Sequence, residues 1–83
     1  MTPKAEIKAQ LKTFICTEVI GDPAYPLGDD EPMISGGLID SFALALIAVF
    51  IEETFGLIIP DVDLAGEDFD TVEQIAARVV TGA

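Results

Sequence analysis

Gly37-Leu38-Ile39-Asp40-Ser41-Phe42-Ala43-Leu44-Ala45-Leu46-Ile47-Ala48-Val49-Phe50-Ile51-Glu52-Glu53-Thr54-Phe55-Gly56 is the stretch that decides how this chain folds. The ten residues after Ser41 are all apolar, too many for a half-buried strand and too few to span a bilayer. A helix is predicted from Ser41 to about Phe55, with Asp40 as its cap and Gly56 just past its end. At about 100° per residue, Leu44, Ile47, Ile51 and Phe55 share one face, with Ala43, Phe50 and Thr54 beside them. That face is the natural core stripe. Phe42, Ala45, Leu46 and Val49 fall on the other side with Glu52 and Glu53, and an exposed apolar cluster of this kind reads as a contact surface. Burial of the helix on all sides is the competing reading. Ser41 likewise has two readings. It is an ordinary first-turn residue beside a capping aspartate, or it is a covalent attachment point, since a helix start offers unpaired N–H groups and a favourable seat for a phosphate.

Working outward, Thr2 can cap a first helix with Pro3 at its first position, and Ile7, Leu11, Phe14 and Ile15 give it an apolar stripe to about Val19. Lys4, Lys8 and Lys12, spaced four apart, are expected on a solvated flank. Residues 21–38 hold three prolines, four glycines and the acidic run Asp29-Asp30-Glu31, so a long loop is predicted. It either wraps the core with Tyr25, Leu27, Met33 and Ile34 tucked beneath it or is mobile, and the acidic run is expected to be solvated. Leu57-Ile58-Ile59-Pro60 has no partner strand and reads as a buried connector. Residues 61–68 leave room for a short helical turn. The last helix starts near Asp70, where Asp70 and Glu73 have capping-box spacing; Val72, Ile75, Ala76, Val79 and Val80 supply its inner face, and it frays at Thr81-Gly82-Ala83. The expected fold is all-α: one 83-residue domain forming a small four-helix bundle, three main helices and a short one, with a long first loop.

Four basic residues against fifteen acidic ones give a net charge of −11, which disfavours nucleic acid and anionic membranes and favours partners with basic patches. The charge is uneven, with residues 1–16 at +2 and the remainder at −13. There is no histidine, which removes histidine triads, imidazole bases and His-containing zinc sites. Cys16 is the only cysteine, fits a reducing compartment, and is expected to pack as a small hydrophobe. Met1-Thr2-Pro3-Lys4 lacks the apolar stretch of a secretion signal, so a soluble cytoplasmic protein is the default expectation.

Asp61-x-Asp63-x-x-Gly66 imitates half a calcium loop, but Ala65 and Val72 stand where the fifth and twelfth ligands belong. No metal site is expected. A Gly-x-Ser-x-Gly elbow is missing, and no glycine is followed by the lysine of a nucleotide loop, so no catalytic residue is assigned and the chain does not read as an enzyme. A helical adaptor presenting one apolar helix remains open.

Leu38-Ile39-Asp40-Ser41-Phe42, the apolar helix ending Glu52-Glu53-x-Phe55-Gly56, Ile59-Pro60 and Asp70-Thr71-Val72 together resemble the acyl carrier proteins and related peptidyl carriers over nearly the whole chain. The resemblance implies a four-helix fold in which Ser41 takes a covalent 4′-phosphopantetheine arm from coenzyme A through a separate phosphopantetheinyl transferase. A cargo-loading ligase or acyltransferase and a downstream synthase or transferase are the other implied partners of a monomeric carrier. Docking is expected at Asp40, Phe42, Ala45, Leu46, Val49, Glu52, Glu53 and Asp61. Ile47, Ile51 and Ile59 line an apolar interior able to shelter cargo, or simply pack the core. Fatty-acid-synthesis carriers usually have acids in the two turns after the serine, where this chain has Ala43 and Leu46. Ile59-Pro60-Asp61-x-Asp63-Leu64 with Phe69-Asp70-Thr71-Val72 is similar to stand-alone carriers of small units, such as amino acids or short malonyl-type extenders. The resemblance therefore implies polyketide, nonribosomal peptide or related specialised biosynthesis, with general fatty acid synthesis and the adaptor without a prosthetic group as alternatives.

Overall fold

A computed structural model of the chain describes residues 3–60 and 69–82, and every regular element among them is helical. The elements are α1 (Lys4–Phe14), which continues as a π-helical segment (Ile15–Ile20), α2 (Ala43–Phe55) and α3 (Val72–Gly82). The all-α expectation is borne out. The short helical turn expected within 61–68 lies outside the described residues.

α1 begins one residue later than the sequence suggests: Pro3 caps it, its carbonyl accepting from the amides of Glu6 and Ile7 at 3.0 Å. Thr2 lies outside the described residues. Ile7, Leu11 and Ile15 recur every fourth residue and are all buried, so the helix presents a narrow, straight stripe to the core. Phe14, at the edge of that stripe, is only partly buried and stacks on Phe50 of α2 with ring centroids 4.4 Å apart. Beyond Phe14 the helix widens, and it closes at Gly21, whose φ of 82° is left-handed and whose amide donates to the Cys16 carbonyl. The amide of Asp22 donates to the same carbonyl at 2.8 Å. Cys16 is buried there, and that burial raises its thiol pKa, consistent with a packing role.

The lysine flank is not free in solvent. Lys4 pairs with Glu73 at 2.5 Å, Lys8 bridges Glu73 and Asp29, and Lys12 pairs with Asp29, so one side of α1 is laced to both α3 and the long loop. Asp29 is therefore half-buried in a charge ladder, unlike the solvated residue expected from its run. The lysines hold both carboxyls below the usual carboxylate range, Lys12 acting most on Asp29 and Lys4 most on Glu73. Glu31 is engaged too, accepting from the Tyr25 hydroxyl at 2.6 Å.

Residues 21–42 wrap the core. Leu27 and Met33 are buried, with Tyr25 and Ile34 packed against them. The amide of Met33 donates to the Asp70 carbonyl at 2.7 Å, and that of Glu73 to the Asp29 carbonyl at 2.9 Å, tying the loop to the start of α3. The Asp70 carboxylate accepts from the amides of Ile34 and Ser35 and from the Ser35 hydroxyl. Those donors, led by the Ser35 hydroxyl, keep its carboxyl acidic. Committed to the loop, Asp70 does not form the expected box with Glu73. Thr71 caps α3 instead: its Oγ1 accepts from the Gln74 amide at 3.0 Å, while Gln74 Oε1 accepts from the Thr71 amide at 3.1 Å.

Val72, Ile75, Ala76 and Val79 form the buried face of α3, and its broadest contact is with α1. Val80 was expected on that face but is 45% exposed, since Val79 already fills the inward position of that turn. In the connector after α2 Ile59 is buried and Leu57 is partly buried against the core, whereas Ile58 is exposed, so the expectation of a buried stretch holds at Leu57 and Ile59 but not at Ile58. No helix among the described residues is long and apolar enough to cross a membrane.

Candidate functional site

The approach to Ser41 is built by two glycines and one buried plug. Gly37 has a left-handed φ of 77°, and a Cβ on Gly36 would meet the Pro32 carbonyl oxygen at 2.3 Å, so neither position accommodates another residue without rearrangement. The tight turn they form, with the Gly37 amide on the Ile34 carbonyl at 3.1 Å, sends the chain back over the core. Ile39 is buried, and its amide donates to the Met33 carbonyl at 3.0 Å. With Ile39 fixed below and Ala43 and Leu44 buried just beyond, the three residues between them are forced outward.

Asp40, Ser41 and Phe42 are all exposed. Asp40 Oδ1 accepts from the Ala43 amide at 3.1 Å, the bond expected of a cap. The first turn is tighter than a regular α-helix, since Ala43, Leu44 and Ala45 donate to the carbonyls three residues back. Regular α2 therefore starts at Ala43, two residues after the sequence expectation. Among the described residues nothing engages the Ser41 hydroxyl or the amides of Ser41 and Phe42. An accessible hydroxyl beside free N–H groups at a helix start suits a phosphodiester chemically: the oxygen can be reached, and the amides face negative charge favourably.

Down the outer face of α2, Phe42 is 79%, Leu46 48% and Val49 51% exposed, and Ala45 is exposed beside them. These four make one apolar strip leading away from Ser41, with no acidic residue in the first turn. Glu52 and Glu53 are exposed at its far end, about 16 Å along the axis at 1.5 Å per residue. They sit where the helix dipole disfavours anions, and among the described residues no cation pairs with them. The acidic end is thus available to a basic partner. Asp61, the remaining docking residue expected from the sequence, lies outside the described residues, as does the Asp61-x-Asp63 element.

Ile47, Ile51 and Ile59 are all buried and belong to one continuous core cluster. They are packed against their neighbours there. The structure adds a feature that the sequence did not point to, a groove of about 330 Å³ beside Ser41. Its walls are Glu18 and Val19 of the π segment, Leu38 and Ile39 of the incoming loop, and Phe42 and Leu46 of α2.

Over residues 10–79 the chain matches the family described as the phosphopantetheine attachment site. Compared with curated proteins one by one, it matches none significantly.

Proposed function

The chain belongs to the phosphopantetheine attachment-site family of carrier proteins, and from that premise we propose that Ser41 is the residue carrying the arm and that α2 presents the docking surface. The covalent cofactor of the family is 4′-phosphopantetheine, and its members work with phosphopantetheinyl transferases and synthase partners. The observation that carries the assignment is the exposed, unengaged Ser41 hydroxyl at the capped start of α2, inside the matched residues. Asp40 fixes the first turn, the amides of Ser41 and Phe42 are free to face a phosphate, and Ile39 with Ala43 holds the turn at the surface. When attached, the arm supplies a terminal thiol on which acyl or aminoacyl units are held as thioesters. The protein's own part is to keep the attachment point rigid and accessible and to raise the effective concentration of the unit at partner enzymes.

Phe42, Ala45, Leu46 and Val49 favour partners with an apolar seat, while Glu52 and Glu53 favour a basic rim. That combination supports a carrier of a small activated unit in polyketide, nonribosomal peptide or related specialised biosynthesis over a general fatty-acid carrier. On this reading residues 1–83 form a single, monomeric, cytoplasmic carrier domain. Incubation with coenzyme A and a promiscuous transferase, followed by intact mass measurement, is the test. The wild-type chain gains one arm and Ser41→Ala gains none. No gain in the wild type, or a gain that survives the substitution, overturns the assignment.

A further inference from the structure

The geometry points to the groove between the π segment and the first turns of α2 as the resting seat of this protein's own prosthetic arm, with the Glu18 carboxylate as acceptor for the arm's uncharged donors. This inference rests on the carrier reading above. Asp40 and Phe42, the residues on either side of Ser41, line the groove, so it lies within reach of a flexible arm attached to Ser41. The groove's volume, about 330 Å³, falls within the ~300–1,000 Å³ of small-ligand clefts.

The lining combines apolar side chains with the carboxylates of Glu18 and Asp40. A phosphopantetheine arm has an anionic phosphodiester, then a geminal dimethyl group, a hydroxyl and two amides. The free amides of Ser41 and Phe42 suit the phosphate. Val19, Leu38 and Leu46 offer apolar walls to the methyl groups. Beyond them the arm carries uncharged donors, a hydroxyl and two amide N–H groups, alongside its amide carbonyls, and Glu18 is an acceptor-only carboxylate without a partner among the described residues. Glu18 is exposed, so its carboxylate is open to a ligand. It stands in the last turns of a helix, where the dipole disfavours a negative charge, and it belongs to a π segment, a form that is rare and frequent at functional sites.

The test uses holo-protein carrying a ¹³C,¹⁵N-labelled arm, with attachment first verified by intact mass. Isotope-filtered NOE spectroscopy is expected to show cross-peaks from the arm's geminal methyls to Val19, Leu38 and Leu46. Val19→Asp, which places a charge in the apolar wall, abolishes them. Glu18→Ala leaves the methyl contacts weakened and speeds exchange of the arm's amide protons with solvent. Dispersed methyl signals from Ile7, Leu11 and Ile75 report that the variants remain folded, and exposed Glu18 keeps the test open if Val19→Asp is not. A loaded wild-type protein without groove contacts, or contacts unchanged in both variants, overturns the seat and leaves the carrier reading standing. Failure to gain the arm overturns both.

Discussion

The chain has two serines, six residues apart, and they occupy opposite kinds of surroundings. Ser35 is tied down: its hydroxyl donates to Asp70 Oδ2 at 2.6 Å and its amide to Oδ1 at 2.9 Å, joining the long loop to the entrance of α3. Ser41 is exposed and unengaged. The same contrast extends to the faces around them. On the Ser35 side, Lys4, Lys8 and Lys12 are paired with Asp29 and Glu73, whereas along α2 the charges are unpaired among the described residues and the apolar strip is uncovered. Polar groups that have found partners hold the fold together. Those left without them are available for chemistry and contact.

The largest effect that would sharpen this contrast lies beneath the Ser35 turn. Met33 is fully buried and its backbone joins the loop both to Asp70 and to Ile39, so Met33→Ala is expected to cost about 2–5 kcal/mol in denaturant unfolding. Loss of less than a few tenths would mean that the loop is not anchored as described. Asp70→Ala removes the acceptor for three donors and is expected to cost about 1–3 kcal/mol, while Ser35→Ala costs about 0.5–1.5 kcal/mol. Ser41→Ala should lie within about 0.5 kcal/mol of wild type, as for other surface changes. Equal costs at the two serines would break the comparison.

On the α2 side the prediction is a change of rate without a change of stability. Leu46→Glu is expected to lower kcat/KM for transfer of the arm about tenfold, some 1.4 kcal/mol. Glu6→Gln, on the far helix, should leave it unchanged. Acid tests the paired side most gently. Asp29, Glu73 and Asp70 all have depressed folded-state pKa values, so their contribution is fully present above the ordinary carboxylate range and is lost as pH falls through their folded values. The unfolding midpoint should therefore drop below that range, and less in Asp70→Ala. A midpoint that rises steadily on acidification would show relief of net negative charge to be the larger effect.

Local signals were legible in the sequence. Gly56 ends α2 with a left-handed φ of 73°, and Asp40 caps its start, because both act within one turn of themselves. The outward strip of Phe42, Leu46 and Val49 follows from helical spacing alone. What escaped was decided at long range. Asp29 and Glu73 are distant from the lysines in sequence, so a solvated flank and a laced one look alike. Asp70 and Thr71 are both competent caps, as Glu73 and Gln74 are both competent partners, and the choice fell to Thr71 and Gln74 because Ile34 and Ser35 claim Asp70 while Lys4 and Lys8 claim Glu73. The π segment has no sequence signature of its own, so the groove that Glu18 helps wall was invisible until the helices were assembled.

The two serines also supply the most direct test. After loading with coenzyme A and a transferase, peptide mapping by fragmentation mass spectrometry locates the phosphodiester on one of them. Full occupancy at Ser41 and none at Ser35 is the expected result; modification at Ser35, or at neither, would show that Ser41 is not the attachment point.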